Sequence, residues 1–198
     1  MALLSTVLLP VSMAGQALVS RFFRRGAPPL NVFVAASLAR LVQGGISVGL
    51  VSWLRAAHAS GGGLPLALNA ACFMALALGA LSNSAMFVAQ MAFFNRVSDA
   101  RIGGTYLTML NTISNLGGQW PGTVILAAKG ALESQVTYNG YYVSYRDGFY
   151  PVACASLLFG AAFLALFSRR IIALQDRPPS DWRVTRSVGD DEDAGGDN

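Results

Sequence analysis

LPLALNAACFMALALGALSNSAMFVAQMAFF, residues 64–94, carries no charged side chain. A helix needs about 20 apolar residues to cross about 30 Å of hydrocarbon, so this run spans a bilayer with tilt to spare. Lipid supplies no hydrogen-bond partner, and a single run in it satisfies its own backbone only as a helix. Working outward, four more runs of similar character appear at residues 2–20, 30–54, 103–128 and 149–168. The sequence therefore predicts an all-α membrane protein with about five transmembrane helices, forming a bundle over residues 1–174 in the bilayer. Beyond it the chain turns Pro-, Asp- and Gly-rich, and residues 175–198, with Asp190, Asp191, Glu192 and Asp193, are expected to form a disordered cytoplasmic tail.

Composition agrees. Hydrophobic residues make up 54% of the chain and charged residues 12%, and the mean hydropathy is +0.48. The net charge of +4 does not point to nucleic acid, because the basic residues stand singly or in pairs beside apolar runs, where they set orientation. Cys72 and Cys154 both fall inside apolar runs and read as small hydrophobes rather than as a redox or metal pair. A signal peptide is the rival reading of residues 2–20, but no basic region precedes the run, and Arg21, Arg24 and Arg25 follow it.

Five spans alternate sides, so the loops after the first and third spans share a face with the C-terminal tail. That face holds Arg21, Arg24, Arg25, Arg96, Arg101, Arg169, Arg170, Arg177, Arg183 and Arg186, against Arg55, Lys129 and Arg146 on the other. Excess Lys and Arg mark the cytoplasmic side, which places the C-terminus there. An apolar first helix that starts on the far side at Met1 leads us to expect a piece of something longer.

The fourth run is the most polar. Thr108, Asn111, Thr112, Asn115 and Gln119 recur every three or four residues and share one helical face. Amides and hydroxyls facing lipid lack partners, so this stripe is expected to face other helices or a water-filled path. Interhelical hydrogen bonding is the alternative for any one of them. Trp120 closes the stripe, either as an interfacial belt residue or as a substrate contact. Arg40 is the one formal charge well inside a run, and no Asp or Glu lies in any of the five. Its partner is a substrate phosphate or carboxylate, a backbone carbonyl, a residue absent from this chain, or the interface it reaches by snorkelling. Gly45 and Gly49 have the GxxxG spacing that lets helices approach. Gly103-Gly104 and Gly117-Gly118 permit bending or close packing. His58 sits in a Gly-rich loop. No HExxH, P-loop, GxSxG or paired intramembrane carboxylate is present, so no catalytic residue, metal ligand or cofactor site is assigned and the chain is not read as an enzyme.

Residues 91–123 read MAFFNRVSDARIGGTYLTMLNTISNLGGQWPGT. With its IGGTY, LNT-x-SNLGG and WP elements, this segment closely resembles the acetyl-coenzyme A transporter family of the endoplasmic reticulum membrane, a branch of the major facilitator superfamily. Asn139-Gly140-Tyr141-Tyr142, or Asp147-Gly148-Phe149-Tyr150, resembles the family's DGYY before its last helix. The resemblance implies the C-terminal bundle of a twelve-helix transporter, approximately helices eight to twelve, and import of acetyl-coenzyme A from cytosol to lumen by alternating access between two bundles. The bilayer, acetyl-coenzyme A, and a missing N-terminal bundle or a full-length relative are then its partners. Arg40, Thr108, Asn111, Thr112, Asn115, Gln119 and Trp120 become substrate-pathway candidates, with Arg40 toward the coenzyme A phosphates. Arg96 and Arg101, around Asp99, either attract the anion or brace their loop. The loop from Lys129 to Gly148 is short and free of cysteine, unlike that of many members, so no disulfide carries over. Two other readings stand beside this one: a permease for another anionic solute, like the muropeptide permeases, and a non-transporting membrane partner of a full-length transporter.

Overall fold

The computed structural model describes residues 2–24, 26–59, 65–99, 102–132, 134–138 and 141–182. Five long helices occupy the five apolar runs: α1 (Ala2–Arg24), α2 (Pro29–Ala59), α3 (Leu66–Val97), α4 (Gly103–Leu132) and α5 (Phe149–Ala173). Each continues about a turn beyond its apolar run. Basic side chains close the last turns of α3, α4 and α5, at Arg96, Lys129 and Arg170, where they meet the negative end of the helix dipole. Among the described residues, Pro29–Ala59, Leu66–Val97 and Phe149–Asp176 are long and apolar enough to cross a membrane, with mean hydropathies of 1.5, 1.7 and 2.0. Helix α4 is less apolar, with Thr, Asn and Gln along its length. The architecture is that of an all-α membrane protein.

Helix α3 is central, packed on α1 and α2, and α2 in turn packs on α5. The buried positions of α3 explain this arrangement: Leu68, Ala75, Ser82 and Ala89 recur every seven residues. Three of the four are small, so neighbouring backbones come close, which is how helices associate where lipid removes the hydrophobic drive. At the same joint a Cβ on Gly15 would stand 2.6 Å from Leu81 of α3.

The expected GxxxG contact is corrected. Among the described residues nothing lies within 4 Å of where a Cβ would be on Gly45 or Gly49, and both are exposed. The close approach falls one residue earlier. A Cβ on Gly44 would sit 2.9 Å from Leu157 of α5, and one on Gly160 would sit 3.0 Å from Leu41 of α2. Gly104, Gly117 and Gly118 likewise meet open space, so packing among the described residues does not use them. Cys72 and Cys154 are free thiols, and Cys154 is exposed on the bundle surface rather than buried.

Where the sequence predicts only a loop, Ser134–Tyr138 (β1) pairs antiparallel with Tyr141–Arg146 (β2) in a short hairpin between α4 and α5. At the same end, Arg55 of α2 forms an ion pair with Asp147. Its guanidinium lies 5.9 Å from the Phe149 ring centroid and 5.1 Å from that of Tyr150. Asp147 Oδ1 also accepts a 2.8 Å hydrogen bond from the Phe149 backbone N–H, so one carboxylate starts α5 and ties it to the end of α2. That backbone N–H first, and then Arg55, hold the Asp147 carboxyl below its ordinary value. A carboxyl depressed in the folded state contributes stability above its unfolded value of about 3.9, and loses it as pH falls through the lower folded value. Acid titration of the thermal midpoint should therefore show a drop below about pH 4. The Asp147→Asn variant should lack that drop, and an equal drop in the variant assigns it to other groups.

The opposite end is closed by residues the sequence analysis assigns to a disordered tail. The correction covers residues 175–182, while 183–198 lie outside the described residues. Two 3₁₀ turns, Leu174–Asp176 and Pro179–Trp182, fold back on the bundle. Trp182 meets Phe93 edge to face, with centroids 5.9 Å apart, within a cluster that includes Leu30, Val97 and Leu174. Gln175 is buried. Its Oε1 accepts from the Leu30 backbone N–H at 3.2 Å and its Nε2 donates to Asn31 Oδ1 at 3.1 Å, satisfying an orphan donor of α2's first turn. Average composition misses this because one amide and one indole outweigh the polar residues around them. Replacing Gln175 with Ala strands a buried N–H and should cost about 1–3 kcal/mol, read as a lower unfolding midpoint in mild detergent. A midpoint unchanged from wild type would mean that solvent meets this donor instead.

Candidate functional site

Helix α4 has no fully buried residue and touches the bundle along one edge only. Tyr106 and Leu110 lean on the end cluster, and the Gln90 amide of α3 donates to the Ser114 hydroxyl. The opposite face is open. It carries Thr105, Thr108, Met109, Thr112, Ile113, Asn115, Gln119 and Trp120, all exposed, with Asn111 at its half-buried margin. Leu116 is 69% and Trp120 is 60% exposed, so no other described helix covers this surface. A groove of about 620 Å³ runs along it, between Gly104 and Ile113.

The stripe is not uniform in its chemistry. Thr108 Oγ1 donates to the Gly104 carbonyl and Thr112 Oγ1 to the Thr108 carbonyl, both at 2.8 Å. Those hydroxyls are satisfied within the helix and would tolerate lipid. Asn115 and Gln119 each carry two amide donors and a carbonyl acceptor that a helix backbone cannot accommodate. An exposed amide in a membrane needs a protein or water partner, which makes these two the informative members.

Arg40 stands apart from this face. It lines a second groove, of about 540 Å³, between α2 and α5, to which α4 contributes no residue. The structure thus gathers Thr108, Thr112, Asn115, Gln119 and Trp120 on one open surface, with Asn111 beside them, and separates Arg40 from all of them. Sequence reasoning missed Gln16 and Asn83, which line a smaller polar groove between α1 and α3 together with Ser12 and Ser84. The signal was present, since both are amides inside apolar runs, informative only once the two helices are known to be neighbours. Arg101 lies outside the described residues, and Asp99 is buried at the turn between α3 and α4.

Residues 67–137 match the family described as acetyl-coenzyme A transporter 1. The resemblance to that family is shown. The match runs through nearly all of α3, the whole of α4 and into β1, so it includes the open polar face. An uncharacterized membrane protein of Saccharomyces cerevisiae is 33% identical over 131 residues, which cover 54% of this chain and 23% of that protein. An uncharacterized protein of Schizosaccharomyces pombe is 28% identical over 138 residues, 60% of this chain and 27% of its own length. The chain therefore spans about a quarter of each of these two relatives. A further uncharacterized Saccharomyces cerevisiae protein is 29% identical over 100 residues, 39% of this chain and 79% of its own. No solved structure matches.

Proposed function

We propose that this chain supplies one helical bundle of a transporter that moves acetyl-coenzyme A from the cytosol into the endoplasmic reticulum lumen. The observation that carries the reading is the polar face of α4, which lies inside the segment similar to the acetyl-coenzyme A transporter family and is left open by every described helix. In alternating access the substrate passes between two bundles, and a polar face looking away from its own bundle is what such a path requires. In this reading α1 and α4 cross the membrane with α2, α3 and α5, and α4 does so because a second bundle covers its stripe. The described α4 face is neutral, so the coenzyme A phosphates take their cationic partners from the opposing bundle. The excess of arginine at the α3–α4 turn and at the end of α5 supports a cytoplasmic C-terminus. We read the protein as a carrier rather than an enzyme.

The test is uptake into proteoliposomes by a full-length transporter containing this bundle, with labelled acetyl-coenzyme A and competing anions. Saturable uptake that unlabelled acetyl-coenzyme A suppresses, and muropeptides do not, supports the reading. Suppression by muropeptides alone makes it a permease for another anionic solute. No uptake, with co-purification alongside a full-length relative, makes it a non-transporting partner.

A further inference from the structure

We infer that the groove between α2 and α5 is a binding site for one anionic phospholipid, with its phosphate on Arg40 and an acyl chain along the apolar wall. Nothing in this inference depends on acetyl-coenzyme A transport, because no residue of α4 lines the groove.

The first argument is charge. Arg40 is exposed and forms no ion pair with any described residue. The hydroxyls that share the groove are already used or satisfied. Ser37 donates to the Phe33 carbonyl and Ser156 to the Val152 carbonyl, each at 2.8 Å, and Ser47 accepts from Gln43 at 2.9 Å. What remains is a long apolar surface with one cation on it, the complement of a molecule with one anionic head and a hydrocarbon tail.

Depth is the second argument. Helix α2 has 31 residues, about 46 Å at 1.5 Å per residue, and so overhangs about 30 Å of hydrocarbon by roughly 8 Å at each end. Arg40 stands eleven residues after Pro29, about 16 Å along the axis, which puts its Cα some 8 Å inside the hydrocarbon boundary. An arginine side chain directed toward the nearer end reaches the headgroup level, where lipid phosphates lie. A water-soluble anion would have to enter hydrocarbon to meet it, whereas a phospholipid is already there.

The third argument is shape and access. Gly44 and Gly160 draw α2 and α5 together over Leu157 and Leu41, so the floor between the two helices is formed without projecting side chains from these glycines. The outer side of α5 is bare: Leu158 is 71%, Phe159 74% and Leu166 71% exposed. The groove therefore lies beside a surface suited to acyl chains, and a lipid reaches it laterally from the bilayer.

The decisive experiment is native mass spectrometry of the full chain released from nanodiscs of equal phosphatidylglycerol and phosphatidylcholine. Wild type should retain one phosphatidylglycerol in preference to phosphatidylcholine, Arg40→Gln should lower that retention about tenfold, and Arg40→Lys should keep most of it. The Ser156→Trp variant fills the tail end of the groove, leaves Arg40 in place, and should also lose the lipid. Helix content and size-exclusion profile check both variants, and if Arg40→Gln does not fold, Ser156→Trp decides. Equal retention of both lipids, full retention by the Arg40→Gln or Ser156→Trp variant, or displacement of the lipid by millimolar inorganic phosphate overturns the inference.

Discussion

Asn115→Leu should lower acetyl-coenzyme A uptake by a full-length transporter at least tenfold while leaving the bundle as stable as wild type. The two halves of that expectation have separate causes. Asn115 is exposed on the side of α4 that no described helix covers, so a leucine there displaces no neighbour and leaves no buried group unpaired. In a transport path the same amide is one of few groups able to replace substrate or water hydrogen bonds across an otherwise apolar segment. Tenfold corresponds to about 1.4 kcal/mol, the size of one well-placed hydrogen bond. Thr108→Val serves as the internal comparison and should reduce uptake by much less. Its hydroxyl is already bonded to the Gly104 carbonyl and has less to offer a substrate. Uptake unchanged in Asn115→Leu would remove α4 from the path and return the stripe to helix–helix hydrogen bonding.

A stability effect as large as that at Gln175 is expected at Gly148, where α5 begins. A Cβ there would stand 2.5 Å from the Lys129 carbonyl oxygen and 3.3 Å from the Leu132 side chain. The first neighbour is backbone and cannot rotate away, so the end of α4 must move relative to the start of α5. Helix α4 has few other contacts to absorb that shift. Gly148→Val should destabilise by about 1–3 kcal/mol, the usual range for forced overpacking, and Gly148→Ala by somewhat less. Gly118→Ala is the matched control. It meets open space among the described residues in the middle of α4 and should be neutral or slightly stabilising through helix propensity. Equal midpoints for Gly148→Val and wild type would show that the α4–α5 joint is loose.

Much of this protein is legible from its sequence, for a reason particular to lipid. Hydrocarbon offers the backbone no partner, so an apolar run of sufficient length has one solution, and helix positions follow from hydropathy alone. The 3.6-residue period then placed Thr108, Thr112, Asn115 and Gln119 on one face, and the structure keeps them together on an open surface. A hairpin signal was also present, since Asn139-Gly140 stands between segments rich in tyrosine, valine and threonine.

What the sequence could not supply are the pairings between helices. Gly44 rather than Gly45 meets α5, because the rotation of α2 is set by its neighbours and not by the GxxxG spacing. Gln175 caps a helix that begins 146 residues earlier, and Trp182 finds Phe93, although both lie in a stretch whose composition predicts disorder. Arg40 and the α4 stripe are each conspicuous as polar groups in apolar runs, yet only the packing of α2 on α5 puts them in separate grooves. Local chemistry and the solvent determined that there are helices and where they lie. Their rotations, and with them the grooves, are fixed by contacts between residues distant in the chain, which no local pattern encodes.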